Sequence, residues 1–119
     1  MKTDNIIQEK SLAFAIRIVN IYKFLTLEKK ENILSKQLLR SGTSIGANVE
    51  EAIGGVSDKD FLNKLGIAYK EANESIYRLK LLYATDYITK NEFESKFNDA
   101  EEICKIHGKI QITTKNRNS

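Results

Sequence analysis

The sequence contains no proline, no tryptophan, one cysteine and one histidine among its 119 residues. Proline is excluded from helix interiors, and loop-rich or all-β chains normally use several, so its absence points to long uninterrupted helices. Cys104 has no partner for an internal disulfide, and nothing indicates an oxidising compartment. No run approaches the ~18 apolar residues that a membrane span requires. The amino-terminal MKTDNIIQEK lacks the apolar core of a signal peptide, which makes a cytoplasmic location the default expectation. There are no internal repeats of solenoid length and no low-complexity tracts.

At 41% hydrophobic and 29% charged, the chain can bury a core and keep a solvated surface, in a length that suits one domain. The net charge of +3 permits nucleic-acid binding without demanding it. Its distribution is uneven. After Glu102 there is no acidic side chain, whereas Lys105, Lys109, Lys115 and Arg117 follow. This stretch is either a solvated terminus or a basic binding arm.

Four segments have helical period. The first spans about Asp4 to Leu27, with one apolar row of Leu12, Ile16 and Val19 and a second of Phe14, Ile18, Ile21 and Leu25. Together the rows cover more than half of the circumference, whereas one buried stripe needs only ~100°. The first helix therefore touches the core and something beyond it, unless its own bundle buries it on all sides. A charged link, Glu28 to Glu31, leads to a second helix from about Glu31 to Ile53, with Leu34, Leu38, Ile45, Val49 and Ile53 in a row. Gly42 and Gly46 lie inside it and cost about 1 kcal/mol each relative to alanine, which suggests close approach to a neighbouring backbone. A break at Ser41-Gly42 is the other reading. Gly54-Gly55 stops the helix by offering a left-handed cap. Ser57 caps the third helix, in which Phe61, Leu65, Ala68, Tyr69, Ala72, Ile76, Leu79 and Tyr83 form an unbroken stripe. Thr89 to Glu92 has capping-box spacing and starts a fourth helix with Phe93, Phe97, Ala100 and Cys104 on one row and Ile103, Ile106 and Ile110 beside it. The expected fold is all-α, an antiparallel up-down-up-down four-helix bundle over residues 1–112, with a flexible basic tail at 113–119.

The inventory for chemistry is thin. A di-metal carboxylate bundle needs Glu-x-x-His steps on two helices, and His107 has no glutamate three residues before it. Cys104 and His107 share a face and make half of a metal site, but only other copies of the chain would complete it. The plain reading is a buried thiol beside a partly exposed imidazole. The same scarcity argues against Cys–His nucleophilic catalysis, and the Gly54-Gly55 turn lacks the Lys-Ser/Thr of a phosphate loop. No catalytic, cofactor or metal residue is assigned. Two polar lines remain, Arg40, Ser44 and Glu51 with Asn48 at the edge on the second helix, and Glu71, Glu74 and Arg78 on the third. These read as ion pairs joining helices or subunits, in preference to a paired-carboxylate active site.

The run Leu39-Arg40-Ser41-Gly42-Thr43-Ser44-Ile45-Gly46-Ala47-Asn48-Val49-Glu50-Glu51-Ala52 and the run from Ala68 to Leu82 are distinctive. They resemble the bacterial four-helix-bundle family first met as proteins encoded in intervening sequences of large-subunit ribosomal RNA genes. Val49 stands where the family's first motif has isoleucine. Either Tyr77 is followed by Arg78 where the second motif has tryptophan, or Tyr77 itself takes the tryptophan position with Ile76 before it. The resemblance covers nearly the whole chain. It implies a ring-like homopentamer without enzymatic activity, and a similarity to the accessory proteins of diversity-generating retroelements, which bind nucleic acid and a reverse transcriptase.

The expected function is thus that of an oligomeric, non-enzymatic accessory protein that binds RNA or other nucleic acid through basic surfaces. The expected contacts are Arg17, Lys23, Lys105, Lys109, Lys115 and Arg117. The alternative is an interaction module that docks a protein partner, such as a reverse transcriptase, on the oligomer surface.

Overall fold

The apolar rows of the four periodic segments converge on one core. The computed structural model describes residues 2–117, with side chains from Asn5 onward. Four helices run in order: α1 (Lys2–Leu27), α2 (Leu34–Ile53), α3 (Asp58–Ala84) and α4 (Lys90–Arg117). Each packs on its neighbours in sequence, and α4 closes on α1, so the bundle is antiparallel and up-down-up-down. It measures 50 × 22 × 19 Å. Phe14, Ile18, Ile21 and Leu25 of α1 meet Leu38, Ile45 and Val49 of α2, Leu65, Ala72, Leu79 and Leu82 of α3, and Ala100, Ile103 and Ile110 of α4.

Local chemistry sets the helix ends. Ser57 accepts the Asp60 N–H at 3.1 Å, as its sequence position predicts. Thr89 accepts the Glu92 N–H at 3.2 Å, and Glu92 turns forward to Lys96 instead of completing the capping box. The start of α2 differs from expectation. It begins at Leu34, because the Glu31 carboxylate folds over the helix end and accepts the N–H groups of Ile33, Leu34 and Ser35 at 3.1, 2.9 and 2.7 Å. Glu31 is buried in doing so. Burial opposes its charged form, but the N–H groups of Leu34, Ser35 and Ile33 outweigh that and hold its carboxyl below the usual range.

Helix α2 is continuous through both glycines. A Cβ on Gly42 would lie 2.8 Å from Ile18 Cγ2, so α1 and α2 approach closely at Gly42. Gly46 differs from expectation, since a Cβ there would meet Ser11 at 3.6 Å, an ordinary contact. The stop at Gly54-Gly55 is correctly placed, but its mechanism is not left-handed. Gly54 has φ −81°, and a Cβ on Gly55 would lie 3.0 Å from the Ala52 carbonyl. Helix α4 also continues past the expected boundary at residue 112. Thr114 is buried, with its hydroxyl returned to the Ile110 carbonyl, and Arg117 Nη2 reaches Asp58 at 3.0 Å. Asn118 and Ser119 of the expected tail lie outside the described residues.

Candidate functional site

Helix α1 divides its two apolar rows as the sequence predicts. Phe14, Ile18 and Leu25 are fully buried, whereas Leu12 and Ile16 remain 62% and 54% exposed. The uncovered row lies on the outward side of α1, turned away from Ser11 and Ile18, which face Gly46 and Gly42 of α2. Val19 and, across on α2, Leu39 are only partly covered.

The polar lines of α2 and α3 meet in a lattice of ion pairs. Arg40 spans two carboxylates, with Nη1 3.2 Å from Glu71 and Nη2 2.5 Å from Glu74. Arg78 joins Glu74 from the other side at 3.2 Å, and its guanidinium lies 5.6 Å from the ring centre of Tyr77. The hydrogen bond to Glu74 holds the Arg40 guanidinium above its usual pKa. The hydrogen bond from Arg40, reinforced by Arg78 against desolvation, holds Glu74 below the carboxylate range. Below the lattice the Ser75 hydroxyl donates to Ser41 at 2.9 Å in the buried seam. Ser44 and Asn48 bond back to the α2 carbonyls of Arg40 and Ser44, so they do not join the charged lattice. The arrangement joins α2 to α3. Glu74 within it is held in its charged form, the opposite of what a general acid needs.

The third feature is a cleft of 740 Å³ between α1 and α4, at the end where the loops after α1 and α3 meet. Arg17, Asn20 and Phe24 of α1, Lys29, and Glu92 and Lys96 of α4 line it. Tyr83, Asp86, Tyr87 and Thr89 come from the α3–α4 junction. Lys96 is only 7% exposed and bonds Glu92 at 2.6 Å. Sequence reading missed Lys96 as a site residue, although its position at the buried spacing between Phe93 and Ala100 is the signal that finds it. Phe24 and Tyr87 carried no such signal, because the junction that gathers them is tertiary.

The six expected basic contacts are not gathered into one site. Arg17 is tied to Asp99 and, at 2.6 Å, to Ser95 Oγ, which fastens α1 to α4. Lys105 lies 3.5 Å from Glu101, and Arg117 is held by Asp58. Lys115 has an interaction of its own. Lys23 and Lys109 are exposed. With Arg17 opposite Asp99, Lys23 and Arg117 lie about 36 Å apart along the axis at 1.5 Å per residue. The charge surplus follows the loop end. Residues 17–42 and 74–99 hold ten lysines and arginines against seven acids, and the rest of the chain balances at nine against nine.

His107 and Cys104 reverse their expected exposure. The imidazole is 6% exposed and stacked on Tyr69 with ring centres 4.8 Å apart, whereas Cys104 is half-buried. Burial pushes the His107 pKa down and, with the charge of Glu101, pushes the Cys104 thiol up. Among the described residues no cluster of three His, Cys, Asp or Glu is placed to hold a metal, and no helix is long and apolar enough to cross a membrane.

Comparison with known proteins matches residues 3–109 to the model of the 23S rRNA-intervening sequence protein family. A solved structure, described as a protein of unknown function from the S23 ribosomal protein family of Bacteroides thetaiotaomicron, is 57% identical. It superposes with a TM-score of 0.90 over 91% of this chain and 96% of that one. Among curated proteins none matches. The chain belongs to the 23S rRNA-intervening sequence protein family.

Proposed function

We propose that the protein is a non-enzymatic accessory protein that assembles through the uncovered face of α1 into a ring-like homo-oligomer, a pentamer by family resemblance, and that the assembly binds RNA. The observation that carries the reading is the exposed row of Leu12 and Ile16 beside a closely packed α1–α2 pair. An apolar strip on the outward face of a core helix is stabilised by burial against a second surface, and an identical copy presents the matching strip. Assembly multiplies a weak charge, since five copies of a +3 chain total about +15. The family's tie to 23S ribosomal RNA intervening sequences favours RNA as the polyanion. Binding of this kind rests on phosphate contacts, so it is weakly sequence-specific and falls steeply with salt.

Light scattering on the whole chain tests the assembly. The wild type is expected to be oligomeric, and Leu12→Lys with Ile16→Lys is expected to give a helical monomer. Gel shift with a structured RNA at about 50 mM salt tests the binding, which should fade by about 200 mM. A monomeric wild type removes the ring, and no shift at low salt removes the RNA. A protein partner that survives nuclease treatment and is lost with the double variant assigns the α1 face to docking instead.

A further inference from the structure

The cleft between α1 and α4 is lined by residues other than the exposed Leu12 and Ile16. We propose that it binds a single nucleotide, with the flat base against its aromatic wall and the attached phosphate beside its cations. The nucleotide is either free or an unpaired residue of an RNA strand. Only the second source rests on the RNA-binding function proposed above.

The cleft's 740 Å³ falls within the ~300–1,000 Å³ of small-ligand sites. Its wall is already organised for a flat ring. Tyr83 is fixed by stacking on Phe93 with centres 5.2 Å apart, and Phe24 presents a half-exposed face to the same space. Lys29 rests its ammonium 5.8 Å above that face. A base is a stronger occupant of an aromatic face than a solvated ammonium, and Lys29 on its loop is then within reach of the phosphate.

The cations are built in. Lys96 is buried in the wall, yet its three donors have one partner, Glu92, among the described residues. A buried ammonium gains from a further anionic acceptor. The amino-terminal end of α4 borders the cleft through its cap Thr89 and through Glu92, which sets the positive end of a 28-residue helix beside it. The two acids do not cancel this. Glu92 is already neutralised by Lys96, and Asp86 lies exposed in the junction as an acceptor for base amino groups. The net charge surplus of the whole chain lies in this half of the bundle.

The test titrates the whole chain into two fluorescent probes. One is 2-aminopurine riboside monophosphate. The other is a hairpin RNA with one 2-aminopurine unpaired in its loop. Saturable fluorescence change is expected, with competition by adenosine monophosphate and not by ribose 5-phosphate. Phe24→Ala and Lys29→Ala alter exposed side chains, so they should keep the helical circular dichroism and weaken binding about tenfold each. A saturating free nucleotide with no RNA binding supports the cleft and removes the RNA function. RNA binding that both variants leave unchanged, with no free nucleotide saturating up to about 10 mM, overturns the cleft and leaves the RNA function standing.

Discussion

Glu31 and His107 are single side chains whose protonation reaches the stability of the whole fold. Glu31 is held below its ordinary pKa of about 4.5 because its charged form caps α2, whereas His107 is held below about 6.5 because burial disfavours the imidazolium. In both cases the unfolded chain binds the proton more readily than the folded one, so stability rises with pH across each window. The His107 contribution is complete above about pH 6.5 and is lost as pH falls from there. The Glu31 contribution is complete above about pH 4.5 and is lost below it. Chemical denaturation at a series of pH values should therefore show two separate declines. His107→Leu should flatten the upper decline, and Glu31→Gln should reduce the lower, to which Glu74 also contributes. Glu31→Gln should also cost about 1 kcal/mol at neutral pH, as loss of a helix cap does. An upper decline that survives in His107→Leu would assign it to another group.

At the scale of the helices, Gly42 and Gly46 look identical in sequence and differ in place. Alanine at Gly42 drives a methyl group into Ile18, which is fully buried and cannot yield without moving α1. Overpacking of that kind costs about 1–3 kcal/mol, more than the ~1 kcal/mol that alanine gains in helix propensity. At Gly46 the space exists, and only the propensity gain remains. Thermal unfolding should rank Gly46→Ala at or above wild type and Gly42→Ala below it; equal effects would contradict the packing described. The same contrast marks how far the elements were legible. The four helices, the core rows, the Ser57 cap and the uncovered row of α1 followed from period and local chemistry, which act within a few residues. The Glu31 cap, the distinction between the glycines, the burial of His107 and the α1–α4 cleft did not. The Glu31 cap is local, but Glu31 reads in the sequence as the first residue of the helix and not as its cap; the other three depend on how far one helix stands from another, and that distance is set by the sum of all contacts.

For the whole molecule, the location of charge decides which end a polyanion meets. The sequence draws attention to Lys105, Lys109, Lys115 and Arg117 because no acid follows Glu102. In the folded bundle those residues return to the end where α3 begins, and Arg117 there spends its charge on Asp58. That half of the molecule is balanced, while the loop end keeps a surplus of three. Exposed charges further apart than the Debye length of about 8–10 Å act locally, so a balanced end and a positive end about 36 Å apart present separate fields to RNA. In the RNA binding proposed above, the loop end is therefore expected to supply most of the phosphate contacts. Replacing Lys23, Lys36 and Lys80 by glutamine should lower the slope of log affinity against log salt by about two to three. Replacing Lys105 and Lys109 should change it by less than one, because Lys105 already answers to Glu101. Gel shifts across a salt series on the two variant sets read this directly, and the reverse ranking would return the contact surface to the carboxyl-terminal stretch.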